Sequence, residues 1–310
     1  MNPENGMIFD YNDHGRVTGY ELARPLLADE TNKKQRVVIA DLARFGLSCW
    51  IAMANKPDKL SQQFAMADEH WFHQAEVHAT LITHGNPETV LGLGAGDFLI
   101  AWRALQHRTV SYFKMADWDH TVPNLVLKHV PMIQSIRTRY RGEEYAIYND
   151  PRLDWREEVD VRDYIPTAHR EGKKFDVIIG DLTANSLEEI LPGALTLILE
   201  LLNPGGVYVY QAGPYSLNPE DLNALGHEIG RMRQTFGDDS VTLSSYTIES
   251  FAYPQAWIAG YKGRTGLQSW VPTFGTVADS INPTGDRPFY SPYIHRKIFT
   301  LEPEFRGLLE

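Results

Sequence analysis

Cysteine occurs once in this chain of 310 residues, at Cys49, so neither an internal disulfide nor a cysteine-based zinc site can form. That scarcity fits a reducing compartment, and the cytoplasm is the expected location. Basic residues are also few: 29 Lys and Arg stand against 40 Asp and Glu, a formal charge of −11. Nucleic acid, which is held by clustered cations on its phosphates, is therefore not an expected partner. Cationic ligands are favoured by such a field, although acidity also serves solubility alone. No segment approaches the roughly 18 apolar residues of a membrane span, and Met1-Asn2-Pro3-Glu4-Asn5-Gly6 has no basic stretch leading into an apolar one. The 11 histidines lack ligand spacing; His70 and His73 alone do not make a site, so no metal is expected.

What is present is enough apolar material, 43%, for one large α/β domain with a small appendage. Val37 to Leu42 and Leu47 to Ala52 read as strands around a turn at Ala43 to Gly46, so residues 1–67 are expected to form a small N-terminal β-hairpin domain. Trp71, Ala75, His78, Ala79 and Ile82 have helical spacing, closed by Gly85-Asn86-Pro87. Strand candidates Thr89–Leu93, Val110–Met115, Phe175–Ile179 and Val207–Gln211 then alternate with helical stretches such as Phe98–His107 and Leu187–Leu202. This order predicts a Rossmann-like parallel sheet with crossover helices over residues 68–310, of the type seen in class I methyltransferases. The segment after Gly263, rich in Pro, Gly and aromatic residues, should pack back on that domain.

Val90-Leu91-Gly92-Leu93-Gly94-Ala95-Gly96-Asp97-Phe98 carries the most chemistry. An apolar strand running into a glycine turn brings backbone N–H groups to a ligand at a helix start, which suits nucleotides. A nicotinamide fingerprint would need a glycine where Phe98-Leu99 stand, so a dehydrogenase is not expected. Gly94 and Gly96 are candidate donor-binding residues. Asp97 follows the glycines, where a carboxylate can meet a cation at the end of the ligand away from the ribose. Asp117 ends the second strand about twenty residues on, the usual place for an acid that takes both ribose hydroxyls. Asp117 or Asp119 could instead cap the next helix. Phe175-Asp176-Val177-Ile178-Ile179-Gly180-Asp181 is an apolar strand ending in an acid, and Asp160-Val161 follows another strand-like stretch.

In this order the pieces resemble the spermidine synthase (polyamine aminopropyltransferase) family over residues 35 to 306. Gln63 followed by Asp68-Glu69-His70-Trp71-Phe72-His73 is similar to that family's Q-x-T-E-x-D-E-x-x-Y-[HQ]-E. Gly94-Ala95-Gly96-Asp97 is similar to G-G-G-D, Asp117-Trp118-Asp119 to E-I-D, and Phe175 to Asp181 to Y-D-V-I-I-x-D. Pro204-Gly205-Gly206 with Gln211-Ala212, Tyr253-Pro254 with Trp257, and Tyr290 with Ile294-His295-Arg296, Phe299 and Leu301 complete the likeness. The resemblance implies transfer of an aminopropyl group from decarboxylated S-adenosylmethionine to a small-molecule amine, with Asp181 as base. Gln63, His73, Asp160 and Val161 would join Gly94, Gly96, Asp97 and Asp117 around the donor, and a homodimer is implied by analogy.

The departures fall on the acceptor side. Where the family reads D-S-S-D-P, this chain reads Asp181-Leu182-Thr183-Ala184-Asn185, so the second acid is missing at Ala184; the family tyrosine is Phe72 and the following glutamate is Gln74. Phe72, Ala184 and Tyr253 are the candidate acceptor residues, and an acceptor other than putrescine is expected. A donor keeping its carboxylate would bring negative charge to Asp97 and Asp181, and no Arg or Lys neighbours either motif, which favours the decarboxylated form. The alternatives are methyl or aminocarboxypropyl transfer from S-adenosylmethionine itself, or a non-catalytic nucleoside binder.

Overall fold

The computed structural model describes residues 6–11, 16–182, 186–282 and 290–309. Strands β1 (Met7–Tyr11) and β2 (Val17–Glu21) form an antiparallel hairpin. Next to it β3 (Ala28–Thr31), β4 (Gln35–Leu42), β5 (Gly46–Met53) and β6 (Ser61–Ala65) make a four-stranded antiparallel meander. The N-terminal layer is thus larger than a single hairpin. β4 is buried on both faces, and its period of two divides them: Val37 and Ile39 pack into the main core, while Val38 and Ala40 pack with Ile8, Tyr20 and Trp50 in a separate N-terminal core.

A seven-stranded sheet forms the centre. It uses β7 (Thr89–Gly94), β8 (Tyr112–Ala116), β11 (Leu153–Asp154), β12 (Phe175–Asp181), β13 (Leu202–Pro214), β14 (Val241–Ile248) and β15 (Tyr253–Tyr261), in the order β11-β8-β7-β12-β13-β15-β14. A short hairpin, β9 (Arg137–Tyr140) with β10 (Glu143–Ala146), stands apart. The expected parallel pairing holds from β11 to β13, but β15 runs antiparallel to both its neighbours. The reason is local: β14 and β15 are joined by only Glu249 to Ala252, too short for a crossover, so β15 folds back into the gap beside β13.

Alternation assigns each strand's residues to two layers. Val90, Val177, Ile179, Val207 and Val209 face one core; Leu91, Leu93, Ile178, Tyr208 and Tyr210 face the other. The first is covered by Glu69–His84 and Leu99–Leu105, the second by Val161–Arg170, Ala194–Leu201 and Pro219–Phe236. The single helix expected across 187–202 is broken at Pro192-Gly193, where proline has no N–H to donate and Gly193 has φ +81°. The C-terminal segment does pack back: Leu267, Tyr290 and Ile298 join the first core, Leu301 and Phe305 the second, with Phe305 stacked on Tyr215 at 3.6 Å.

Candidate active site

The carboxyl ends of β7, β8 and β12 meet at one crevice, where ligands bind in open α/β sheets. Gly94 ends β7 opposite Asp181, the last residue of β12. Its φ of +87° excludes most side chains, and a Cβ there would collide with the Asp181 carbonyl oxygen. A Cβ on Gly96 would lie 2.6 Å from Oδ2 of Asp117. The glycine turn therefore sits against both acids, with no room for side chains between them. Ala95 and Phe98 are left-handed as well, at φ 68° and 70°, a conformation that costs a non-glycine residue about 1–2 kcal/mol.

Asp97 is buried, and its Oδ1 accepts from the Leu99 N–H at 2.8 Å, fixing the first turn of the helix Leu99–Leu105. Burial pushes its carboxyl up from the ordinary value, with nearby His73 opposing. Of Asp117 and Asp119, only Asp119 bonds to the helix that follows. Asp119 accepts from the Thr121 N–H at 2.8 Å and from Asn32 Nδ2 at 2.6 Å, so it serves the helix Thr121–His129. Asp117 takes the Asp119 N–H on Oδ1 at 2.9 Å and leaves Oδ2 against Gly96. Burial, reinforced by Asp119 and Asp97, pushes Asp117 up to about 6.

Asp181 keeps partial exposure on the crevice. Desolvation, then repulsion from Asp97 and Asp117, pushes it up to about 7, against the pull of His73 and the Ala95 N–H. A carboxyl poised there can exchange a proton at neutral pH. His73 is fully buried; its Nδ1 lies 2.9 Å from the Glu69 carbonyl oxygen and 3.2 Å from Glu69 Oε2. Burial opposes its charge, yet Glu69, Asp97 and Asp181 together hold the imidazole above its usual value. Glu69 in turn receives Arg103 at 2.8 Å, a pair buried on both sides; against the desolvation penalty, Arg103 and His73 hold its carboxyl below the usual range.

The remaining candidates have partners of their own, and Phe72 also meets His73 edge-on at 5.1 Å. Gln63, on β6, donates from Nε2 to the Ser61 carbonyl oxygen at 3.1 Å. Asp160 caps the helix that begins at Val161, accepting from the Arg162 N–H at 2.9 Å and from its guanidinium, which holds its carboxyl below the usual range. Phe72 is enclosed by aromatic rings, stacked on Phe251 at 5.5 Å and edge-on to Trp257 at 5.1 Å. Tyr253 is half-buried at the start of β15, with the Arg16 guanidinium 5.5 Å over its ring. Ala184 lies outside the described residues.

Sequence reasoning missed two features. The Glu69–Arg103 pair joins residues on different helices and has no sequence signal. Glu76, in a π-helical turn at Gln74–His78 that interrupts the helix from Glu69 to His84, is buried with both carboxylate oxygens unpartnered. No group of three or more His, Cys, Asp or Glu residues among those described has the arrangement of a metal site. No helix among the described residues is long and apolar enough to cross a membrane.

A family model for the spermine/spermidine synthase domain matches residues 69–256, which take in Asp97, Asp117, Asp181 and the glycine turn. This chain belongs to the spermine/spermidine synthase family. It is similar to the polyamine aminopropyltransferase of Pyrobaculum neutrophilum, with 29% identity over 74% of this chain and 72% of the relative. With the one from Thermococcus onnurineus it shares 25% identity over 100% and 99% of the two chains. In structure it resembles a spermidine synthase bound to the transition-state analogue AdoDATO (TM-score 0.76, 16% identity, 99% of this chain and 95% of that one). It also resembles the spermidine synthase of Thermotoga maritima (TM-score 0.74, 17% identity, the same shares). With the family comes its class: the protein is a transferase of the spermidine synthase type, and the fold read from the sequence is the observed one.

Proposed function

We propose that this transferase moves an aminopropyl group from decarboxylated S-adenosylmethionine to an amine acceptor other than putrescine. The observation that carries the reading is the convergence of Asp97, Asp117 and Asp181 on the glycine turn, each raised by burial among the others. Such a crevice favours a ligand with positive charge. The decarboxylated donor brings a sulfonium and an ammonium and no carboxylate. Arg103, on the helix that follows the glycine turn, is paired with Glu69.

In this reading Asp117 takes the ribose hydroxyls and Asp97 the ammonium of the aminopropyl chain. Gly94 and Gly96 let the backbone approach the nucleoside, with Gln63, His73, Asp160 and Val161 on the donor side and Phe72, Ala184 and Tyr253 on the acceptor side. The acceptor nitrogen attacks the methylene carbon bonded to sulfur. The carbon–sulfur bond breaks with its electron pair going to sulfur, which leaves neutral methylthioadenosine, and the nitrogen's proton passes to Asp181. An alkylamine of pKa about 10.4 is protonated at neutral pH, so a carboxylate at that point both orients the ammonium and accepts its proton. Alignment supplies most of the acceleration.

The test is to incubate the pure protein with decarboxylated S-adenosylmethionine and a panel of amines, reading methylthioadenosine by chromatography, and to titrate both nucleosides by calorimetry. Methylthioadenosine release with an amine other than putrescine is expected, together with tighter binding of the decarboxylated form. Preference for intact S-adenosylmethionine, or no product across the panel, overturns the reading. Assembly as a homodimer belongs to the same proposal and is checked by analytical ultracentrifugation.

A further inference from the structure

One carboxylate beside the crevice has no part in the reaction just described. Glu76 is 1% exposed, and neither Oε1 nor Oε2 has a hydrogen-bond partner. Other buried acids each hold something: Glu69 holds Arg103, Asp68 accepts from the Ser250 N–H at 2.8 Å, and Glu228 receives the Tyr210 hydroxyl at 2.8 Å. Glu76 has no such partner, yet it stands within the electrostatic reach of Asp181 and Asp97. The π turn that carries it also turns its neighbour away. Gln74, which stands where the resembled pattern has glutamate, accepts the Tyr290 N–H on Oε1 at 3.1 Å and so faces the C-terminal segment. A glutamate is thus present two residues later, on a π-helical turn of a kind frequent at functional sites.

An ionised carboxylate without a partner is costly to bury, and burial, followed by Asp181 and Asp97, raises Glu76 well above the ordinary range. In the neutral form its O–H still lacks an acceptor. An ammonium placed between Glu76 and Asp181 would offset both deficits, giving N–H donors to the oxygens and a positive charge to the cluster. We propose that Glu76 seats a second ammonium of the acceptor and so determines specificity, taking over the charge that is missing at Ala184. The acceptor is then a diamine or longer polyamine, held in a different direction from one reaching for position 184. The cation belongs to the acceptor rather than the donor because the single ammonium of the decarboxylated donor is already taken by Asp97 in that reading.

This inference rests on the aminopropyl-transfer reading, and the experiment separates the two. Wild type, Glu76→Gln and the apolar, near-isosteric Glu76→Met are compared with decarboxylated S-adenosylmethionine and two acceptor sets, α,ω-diamines of three to five carbons with spermidine, and monoamines of the same lengths. Wild type should favour the best diamine over its monoamine, and both variants should lose about 10- to 100-fold in kcat/KM for that diamine, mainly through KM. Monoamine turnover and donor affinity should hold within about threefold, the thermal midpoint reporting folding. An equal loss for both acceptor sets, or none, overturns the role of Glu76. Calorimetry with the same diamines, on protein saturated with methylthioadenosine, decides the matter if no amine turns over. Diamine binding abolished by Glu76→Gln upholds the seat while the transfer reading falls; diamine binding untouched by Glu76→Gln, or absent from wild type, overturns the seat.

Discussion

Replacing Asp181 by asparagine should disable the enzyme and stabilise the fold. The carboxyl sits at about 7 instead of 3.8, a difference worth about 4 kcal/mol of charge held in an unfavourable place. Asp97 is the largest source of repulsion and remains after the substitution, and the amide keeps its own desolvation cost. About half of the total, about 2 kcal/mol, is therefore expected as gained stability. Unfolding entropy scaled to 310 residues converts that into a rise of about 3 °C in the midpoint. The pH dependence has a definite sign. A carboxyl whose folded value exceeds its unfolded one leaves the native state holding more protons between about 4 and about 7, so the wild type loses this contribution as pH rises through that window. The advantage of Asp181→Asn should be absent at pH 4, grow toward pH 7 and stay constant above it.

Turnover measures the other half of the argument. A positioned base contributes about 10²- to 10⁴-fold, so methylthioadenosine release should fall by that factor while calorimetric affinity for the donor changes by no more than about threefold. In the wild type, kcat/KM should rise with pH through about 7, since only the ionised form accepts a proton. Unchanged turnover, or a lower midpoint in the asparagine variant, would falsify the assignment of Asp181 as a strained base.

Gly96→Ala places a methyl group 2.6 Å from Asp117 Oδ2, and displacing that acid should raise the donor KM by about tenfold or more, with a smaller change in kcat, as steady-state kinetics will show. Asp117→Ala should raise the donor KM by about 10- to 100-fold, whereas Asp119→Ala should leave it within about twofold and lower stability by about 1 kcal/mol in denaturant titration, because of the two only Asp119 accepts an N–H of the helix; equal effects on KM from the two variants contradict this division. Arg103→Leu leaves Glu69 buried with His73 as its remaining charge partner, which costs at most about 3–5 kcal/mol and should lower the midpoint by up to about 5–8 °C. Adding Glu69→Leu to it should recover part of that loss, and a double variant weaker than the single one contradicts the pairing.

The strand-end acids were legible because each marks a boundary that sequence shows well, an apolar run stopping at a carboxylate. Asp117 and Asp181 fall at the crevice for that reason, and Asp97 was marked by the glycines that precede it. Which of Asp117 and Asp119 bonds to the next helix was not legible, since either can cap one, and Asp119 is held there by Asn32 as well, a residue 87 positions away. The glycine turn was read from its glycines, yet Ala95 and Phe98 hold the same left-handed geometry without that freedom. Tertiary packing around the fully buried Phe98 imposes it, and no local preference announces it. The antiparallel β15 was missed in turn because alternation of strands and helices stops at β14, where a four-residue connection replaces a helix.

The π turn at Gln74–His78 was hidden for a different reason. A phase slip in a helix is visible in sequence only if one face is polar, since the slip then shifts the boundary between faces. Every residue from Phe72 to Thr83 is buried, so Glu69–His84 has no solvent face over that stretch and its apolar spacing fits an uninterrupted helix equally well. In such a helix the informative residues are the ionisable ones, because none can be excused by exposure. His73 is accounted for by Glu69, and His78 by its 2.9 Å contact with His107. Glu76 alone of these has no counterpart within the described residues, and the charges that act on it, those of Asp181 and Asp97, carry the same sign as its own. In the role proposed for Glu76, a cation arriving with the acceptor relieves that burial, and the acceptor's charge, rather than its apolar stem, is then the property that this helix selects.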